Sequence, residues 1–333
     1  MPPTFLRTLV LLRDRLRTSA VLISLVAALL YLDGNYSIVG AEGLWLLPLL
    51  LFFSLGSAWD IVSMIRNSAG ANDSAYPSTP PRTRVLFLTC LVTLSATVPL
   101  LWPLFDAAYP QNCPVGELGW IVVAGIMAIF LGLMAEMRCY EAAGRGALQR
   151  VLLSSFVVGY VGLPFALMVS LRSLGDGNWG LAALLTMIAV TKSADAGAYF
   201  AGKSFGKRKL IPNLSPGKTW EGLIGGIITA TVVAFGCLLW LFPAIANSAA
   251  GPVLETSIPG VNQPWLGALL LGPLLAIAGL VGDLAESMIK RDSGAKDSGT
   301  WLPGLGGVWD VTDSLIAAVL PAYLCFAAGV GLG

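Results

Sequence analysis

Histidine is missing altogether from the 333 residues, only 12% are charged, and the five cysteines show no paired spacing. Without imidazole there can be no His-based triad, no His–metal centre and no imidazole proton relay. Cys90, Cys113, Cys139, Cys237 and Cys325 form no CxxC, and three of them fall inside apolar runs. They read as packing residues, and neither a disulfide framework nor a zinc site is expected. The net charge of +1 by itself says nothing about partners, and none that is nucleic acid is expected.

What the chain has in abundance is apolar surface. Hydrophobic residues make up 56% of it, far above ordinary soluble domains. A helix needs about 20 mostly apolar residues to cross a hydrocarbon core of about 30 Å. Nine stretches qualify as candidates: Ala20–Leu32, Gly43–Trp59, Val85–Phe105, Leu118–Met134, Val151–Leu171, Trp179–Val190, Leu223–Ala246, Trp265–Gly282 and Ser314–Leu332. The first and sixth are short. An all-α polytopic membrane protein with about nine spans is therefore expected.

With the N-terminus in the cytoplasm, nine spans leave nineteen of the twenty basic residues inside and only Arg172 outside. That asymmetry is what the positive-inside rule asks of an N-in, C-out chain. The opening MPPTFLRTLVLLRDRLR mixes apolar residues with four arginines and reads as a helix on the cytoplasmic interface. A cleaved leader fits less well, because the charged region is long and the cleavage site poor.

Residues 1–177 offer little chemistry, and residues 178–333 form the expected catalytic region. NDSAYPSTPP (Asn72–Pro81) reads as a turn-rich loop. Glu136, Arg138, Glu141 and Arg145 read as a solvated helix end with local ion pairs. From Lys192 the character changes. Gly197, Gly202 and Gly206 are expected to break regular structure and free backbone amides for an anion, beside the basic Lys203, Lys207, Arg208 and Lys209. SPGKT (Ser215–Thr219) lacks the first glycine and preceding strand of a P-loop, yet Ser215, Lys218 and Thr219 offer two hydroxyls and an ammonium at a helix N-terminus.

Residues 281–314 concentrate six of the nineteen acidic residues between two apolar stretches. Charges are costly at a membrane, so such an island marks a site. Asp283, Glu286, Ser287 and Lys290 recur at helical spacing and share one face; Asp310 and Asp313 lie three apart at the start of the last span. Two oxygen-donor clusters on adjoining helix ends suit a hard cation such as Mg²⁺. Between them stand Lys296, Asp297 and the turn PGLGG (Pro303–Gly307), whose glycines permit close backbone approach to a ligand.

The run GDLAESMIKRDSGAKDSGTWLPGLGGVWDVTDS closely resembles the C-terminal motif of the phosphatidate cytidylyltransferases, the CDP-diacylglycerol synthases. Ser287, Lys290, Arg291, Lys296, Asp297, Gly299, Pro303, Gly304, Gly306, Gly307, Asp310 and Asp313 all fall on that family's pattern. Upstream, Asp195, Tyr199, Gly202, Gly206, Ser215-Pro216, Lys218-Thr219 and Glu221-Gly222 also match. The resemblance implies transfer of the cytidylyl group of CTP to phosphatidate at the cytoplasmic face of a bacterial inner membrane, with a homodimer as a family expectation. Bringing two polyanions together needs charge neutralisation, and on that ground catalytic roles are expected for Asp283, Lys290, Lys296, Asp310 and Asp313. Substrate or phosphate contacts are implied for Asp195, Ser215, Lys218, Thr219, Ser287, Arg291, Asp297, Gly306 and Gly307. Asp283, Asp310 and Asp313 are expected to hold Mg²⁺, with a second cation such as K⁺.

Two positions depart: the family's histidine in PGHGG is Leu305, and the arginine after the first aspartate of the final pair is Val311. A phosphate monoester has a second pKa near about 6, so the attacking group is already largely dianionic and needs no base. A working enzyme is therefore expected. The rival readings are a degenerate or altered-specificity homologue and a transporter, which would place its charges at mid-depth between broken helices.

Overall fold

The computed structural model describes residues 4–36, 43–69, 79–102, 109–110, 113–140, 146–246, 251 and 260–332. Its helices are α1 (Thr4–Asn35), α2 (Leu47–Ala69), α3 (Arg82–Ser95), α4 (Val98–Leu101), α5 (Gly116–Arg138) and α6 (Ala147–Arg172). After these come α7 (Trp179–Phe205), α8 (Trp220–Ala246), α9 (Pro264–Asp292) and α10 (Trp309–Ala327). One antiparallel hairpin, β1 (Lys209–Ile211) with β2 (Ser215–Thr219), joins α7 to α8. Lipid offers no partner for backbone polar groups, so a chain this apolar satisfies them within helices.

Among the described residues, eight helices are long and apolar enough to cross a membrane: α1 from Leu16, α2, and α5 to α10. The chain is an all-α polytopic membrane protein. The ninth candidate, Val85–Phe105, is interrupted by a turn at Ala96 and Thr97 that separates α3 from α4; residues 103–108 lie outside the described part. Asn72–Ser78 of the expected turn-rich loop, and Glu141 and Arg145, lie outside it too. The expected interfacial helix is no separate element, because α1 runs from Thr4 to Asn35 without a break.

Two readings of the sequence are corrected. Gly197 and Gly202 lie within α7, which extends to Phe205. They offer no free amides to an anion. They let α7 and α8 touch: Gly197 backs onto Thr229, Gly202 onto Thr219 and Gly222, and Gly225 onto Ala201. Small residues at such a seam bring backbones close where lipid supplies no hydrophobic drive between helices. Glu136 is likewise no solvated helix end. It is buried and paired with Arg84 of α3 and with Arg150 of α6, whose Nε lies 2.8 Å from Oε2.

A second buried pair ties α1 to α6, with Arg172 Nε 2.6 Å from Asp33 Oδ2 and its Nη1 donating to the Gly177 carbonyl at 3.0 Å. One apolar core draws on both halves of the chain, from Leu46 to Val330. In α6 a π-helical turn at Val158–Gly162 turns Tyr160 toward Trp309, the two rings meeting edge to face at 6.1 Å. Such turns arise where one extra residue is wound into a helix, often beside a site.

Candidate active site

α7, α8, α9 and α10 bring their charged ends to one place. α9 carries Asp283, Glu286 and Lys290 on one face, as their spacing predicts. α10 carries Asp310 and Asp313 in its first turns, α7 contributes Lys192 and Asp195, and β2 contributes Lys218.

Ammonium groups alternate with carboxylates through this cluster. Lys218 Nζ is 2.7 Å from Asp283 Oδ2. Lys290 Nζ is 3.1 Å from Glu286 and 3.1 Å from Asp310. Lys192 Nζ donates to Ser314 Oγ at 2.8 Å and lies 3.7 Å from Asp195 and 4.0 Å from Asp313. Ser314 Oγ in turn donates to Asp195 Oδ2 at 3.1 Å. Five carboxylates face three ammonium groups, a formal excess of two negative charges in a half-buried setting.

That excess is concentrated. Asp283, Glu286 and Asp313 each present a carboxylate oxygen within 4.8 Å of the others. Like charges held so close in low dielectric repel strongly unless a cation joins them. The donors are all hard oxygens, the set a divalent ion such as Mg²⁺ prefers, so the residues fit that ion. Glu286 belongs to this trio, and its place on the helical face with Asp283 was the sequence signal for it. Asp310 lies outside this trio but touches Glu286 directly and shares Lys290 with it. Besides Lys290, it accepts the backbone N–H of Gly307 at 2.7 Å and of Ser298 at 3.3 Å.

Beside the cluster opens a cavity of about 540 Å³ between α7, α8, α9 and the hairpin. Asp195, Ser215, Lys218 and Asp283 line its polar part, and Ala198, Leu223, Ala276 and Leu280 its apolar part. SPGKT, expected at a helix N-terminus, forms strand β2, which leads into α8 and carries Lys218 to the cavity wall. Thr219 also lines the cavity, and its Oγ1 accepts the Gly222 amide at 3.0 Å, capping α8.

Not every residue singled out in the sequence joins the cluster. Arg291, Lys296 and Asp297 are exposed, without an ion pair among the described residues, and Ser287 is half-buried one position beyond Glu286. Asp297 lines a second, smaller cavity with Leu305 and Gly306. Gly306 and Gly307 approach the protein itself. A Cβ at Gly306 would overlap the Asp310 carboxylate, and Gly306 has a φ of +100°, open to glycine alone at low cost. Lys192 carries no sequence signal, being a lone lysine near a helix end. The same holds for the buried Asp60 of α2, whose partners are 248 and 249 residues away.

Residues 13–328 match the sequence model of the Cytidylyltransferase family. The chain is similar to a phosphatidate cytidylyltransferase of Haemophilus influenzae, 46% identical over 144 residues, or 43% of this chain and 45% of that protein. A phosphatidate cytidylyltransferase of Brucella suis is 36% identical over 217 residues, covering 62% of this chain and 70% of the relative. One from Bacillus subtilis is 38% identical over 168 residues, 50% of this chain and 55% of the relative. The match thus spans about half the length of two of these relatives and more than two thirds of the third.

Proposed function

The chain belongs to the cytidylyltransferase family, and from that premise we propose that it transfers the cytidylyl group of CTP to phosphatidate, giving CDP-diacylglycerol and pyrophosphate. The observation that carries the reading is the alternating cluster of carboxylates and lysines at the wall of a cavity that is polar at one part and apolar at another. Its two-sided lining suits a substrate with a phosphate head and acyl tails.

In the reaction, a phosphate oxygen of phosphatidate forms a bond to the α-phosphorus of CTP. The bond from that phosphorus to its bridging oxygen breaks, and pyrophosphate leaves with the electron pair. The nucleophile needs no base, so the absence of histidine costs nothing. Two polyanions must nevertheless meet, and the chain's own cations reduce that repulsion. Lys218 and Ser215, on the cavity wall, would hold the phosphatidate phosphate. Lys290, fixed between Glu286 and Asp310, would hold charge on the triphosphate. Asp283, Glu286 and Asp313 would hold Mg²⁺, which when bound supplies charge neutralisation to the triphosphate. Thr219 spends its acceptor on the Gly222 amide, and its hydroxyl proton remains for a phosphate oxygen.

Orientation belongs to the same proposal. The placement of the basic residues supports a cytoplasmic N-terminus and a cytoplasmic site, where CTP is available, in a bacterial inner membrane. In this reading α3 and α4 together make the ninth crossing. The test is product formation by the purified protein from phosphatidate, CTP and Mg²⁺; no CDP-diacylglycerol under those conditions contradicts the assignment.

A further inference from the structure

Asp60 is 1% exposed and lies in the second half of α2, far in sequence from the cluster. Its Oδ2 accepts the backbone N–H of Val308 at 2.6 Å and of Trp309 at 3.2 Å. These are the first amides of α10, which has no side-chain cap of its own. A helix N-terminus leaves such donors unpaired and carries a partial positive charge, so a carboxylate supplied from another helix answers both needs.

The same carboxylate shapes the loop in front of α10. A Cβ added at Gly299 would overlap Asp60, and all three of the nearest atoms it would meet belong to that side chain. A Cβ at Gly307 would overlap Ser298 Oγ as well as Asp60 and meet the Gly299 backbone. The neighbouring face of α2 continues the grip. Gly56 backs onto Val308, and Ser57 Oγ lies 2.8 Å from Thr312 Oγ1. From α1, Thr18 Oγ1 donates to the Pro303 carbonyl at 2.9 Å.

Gly307, pressed against Asp60, and Ser298, which precedes the Gly299 that Asp60 abuts, are the residues whose amides hold Asp310. We infer that Asp60 is a positioning residue: it sets the 298–309 backbone, and through those two amides fixes the Asp310 carboxylate against Lys290. Its kinetic consequence rests on the cytidylyl-transfer reading; its structural consequence does not.

Amide exchange and steady-state kinetics on purified full-length protein in detergent test this directly. Asp60→Ala is expected to lower kcat about 10- to 100-fold, the scale of a small misplacement of a reacting group, while KM for CTP stays within about twofold. Exchange should quicken over residues 298–312 and stay unchanged in α7 and α8. Asp60→Asn, which keeps an acceptor oxygen, should recover most of kcat and the slow exchange. Gly299→Ala should be damaging alone and add little to Asp60→Ala, since the three nearest atoms its Cβ would meet all belong to Asp60. Gly307→Ala should add in full, because Ser298 and the Gly299 backbone remain. Unchanged kcat in Asp60→Ala, faster exchange throughout the chain, or full additivity of Gly299→Ala would each overturn the inference. If the unsubstituted protein makes no product, the reaction assignment fails, and the exchange pattern alone decides the role of Asp60.

Discussion

Lys290 lies 3.1 Å from both Glu286 and Asp310, while Glu286 also stands within 4.8 Å of Asp283 and Asp313. Glu286 therefore serves two demands, pairing with the lysine and completing the oxygen trio. Glu286→Gln keeps the shape and removes the charge. It should raise the Mg²⁺ concentration for half-maximal activity about tenfold or more, read from a metal titration of initial rates. Leu305 and Val311 make the opposite case. A general base is worth about 10²- to 10⁴-fold, and the proposed reaction, with a dianionic phosphate as nucleophile, calls for none. Replacing Leu305→His and Val311→Arg together should change kcat by less than about tenfold. At this scale the sequence was legible where chemistry repeats at helical spacing, as in Asp283, Glu286 and Lys290. It was silent on Asp60 and Lys192, whose meaning comes from partners on other helices.

Helices were the easiest feature to read, since apolar runs of this length in lipid have few alternatives. Their ends and partners were not. The charges near Asp195 hid the continuation of α7 to Phe205, because a lone aspartate after an apolar run looks like a helix end. Glycines read as breakers serve the seam between α7 and α8. Gly225→Leu should force that seam apart at Ala201 and cost about 1–3 kcal/mol, measured by thermal unfolding in detergent. The buried pairs belong to the same scale. Arg172→Ala leaves Asp33 buried without its partner and should cost about 3–5 kcal/mol, whereas removing both side chains should cost less.

Across the whole molecule, helices of the first half brace the turn and helix that carry Asp310 and Asp313. α1 reaches the Pro303 turn, α2 caps α10, and α6 sets Tyr160 against Trp309. The orientation proposed for this assembly can be read from native cysteines. Cys139 is exposed after α5, and Cys113 lies just before it. A membrane-impermeant maleimide applied to intact cells should modify Cys113 and spare Cys139, and the reverse pattern would invert the topology. The most direct measurement of the account remains the reaction itself, with phosphatidate in mixed micelles, CTP and Mg²⁺, scored for CDP-diacylglycerol and pyrophosphate in equal amounts. The unsubstituted protein should form both and Asp310→Asn neither, because Lys290 loses the negative charge that holds it opposite Glu286. No product from the unsubstituted protein, or undiminished product from Asp310→Asn, would contradict it.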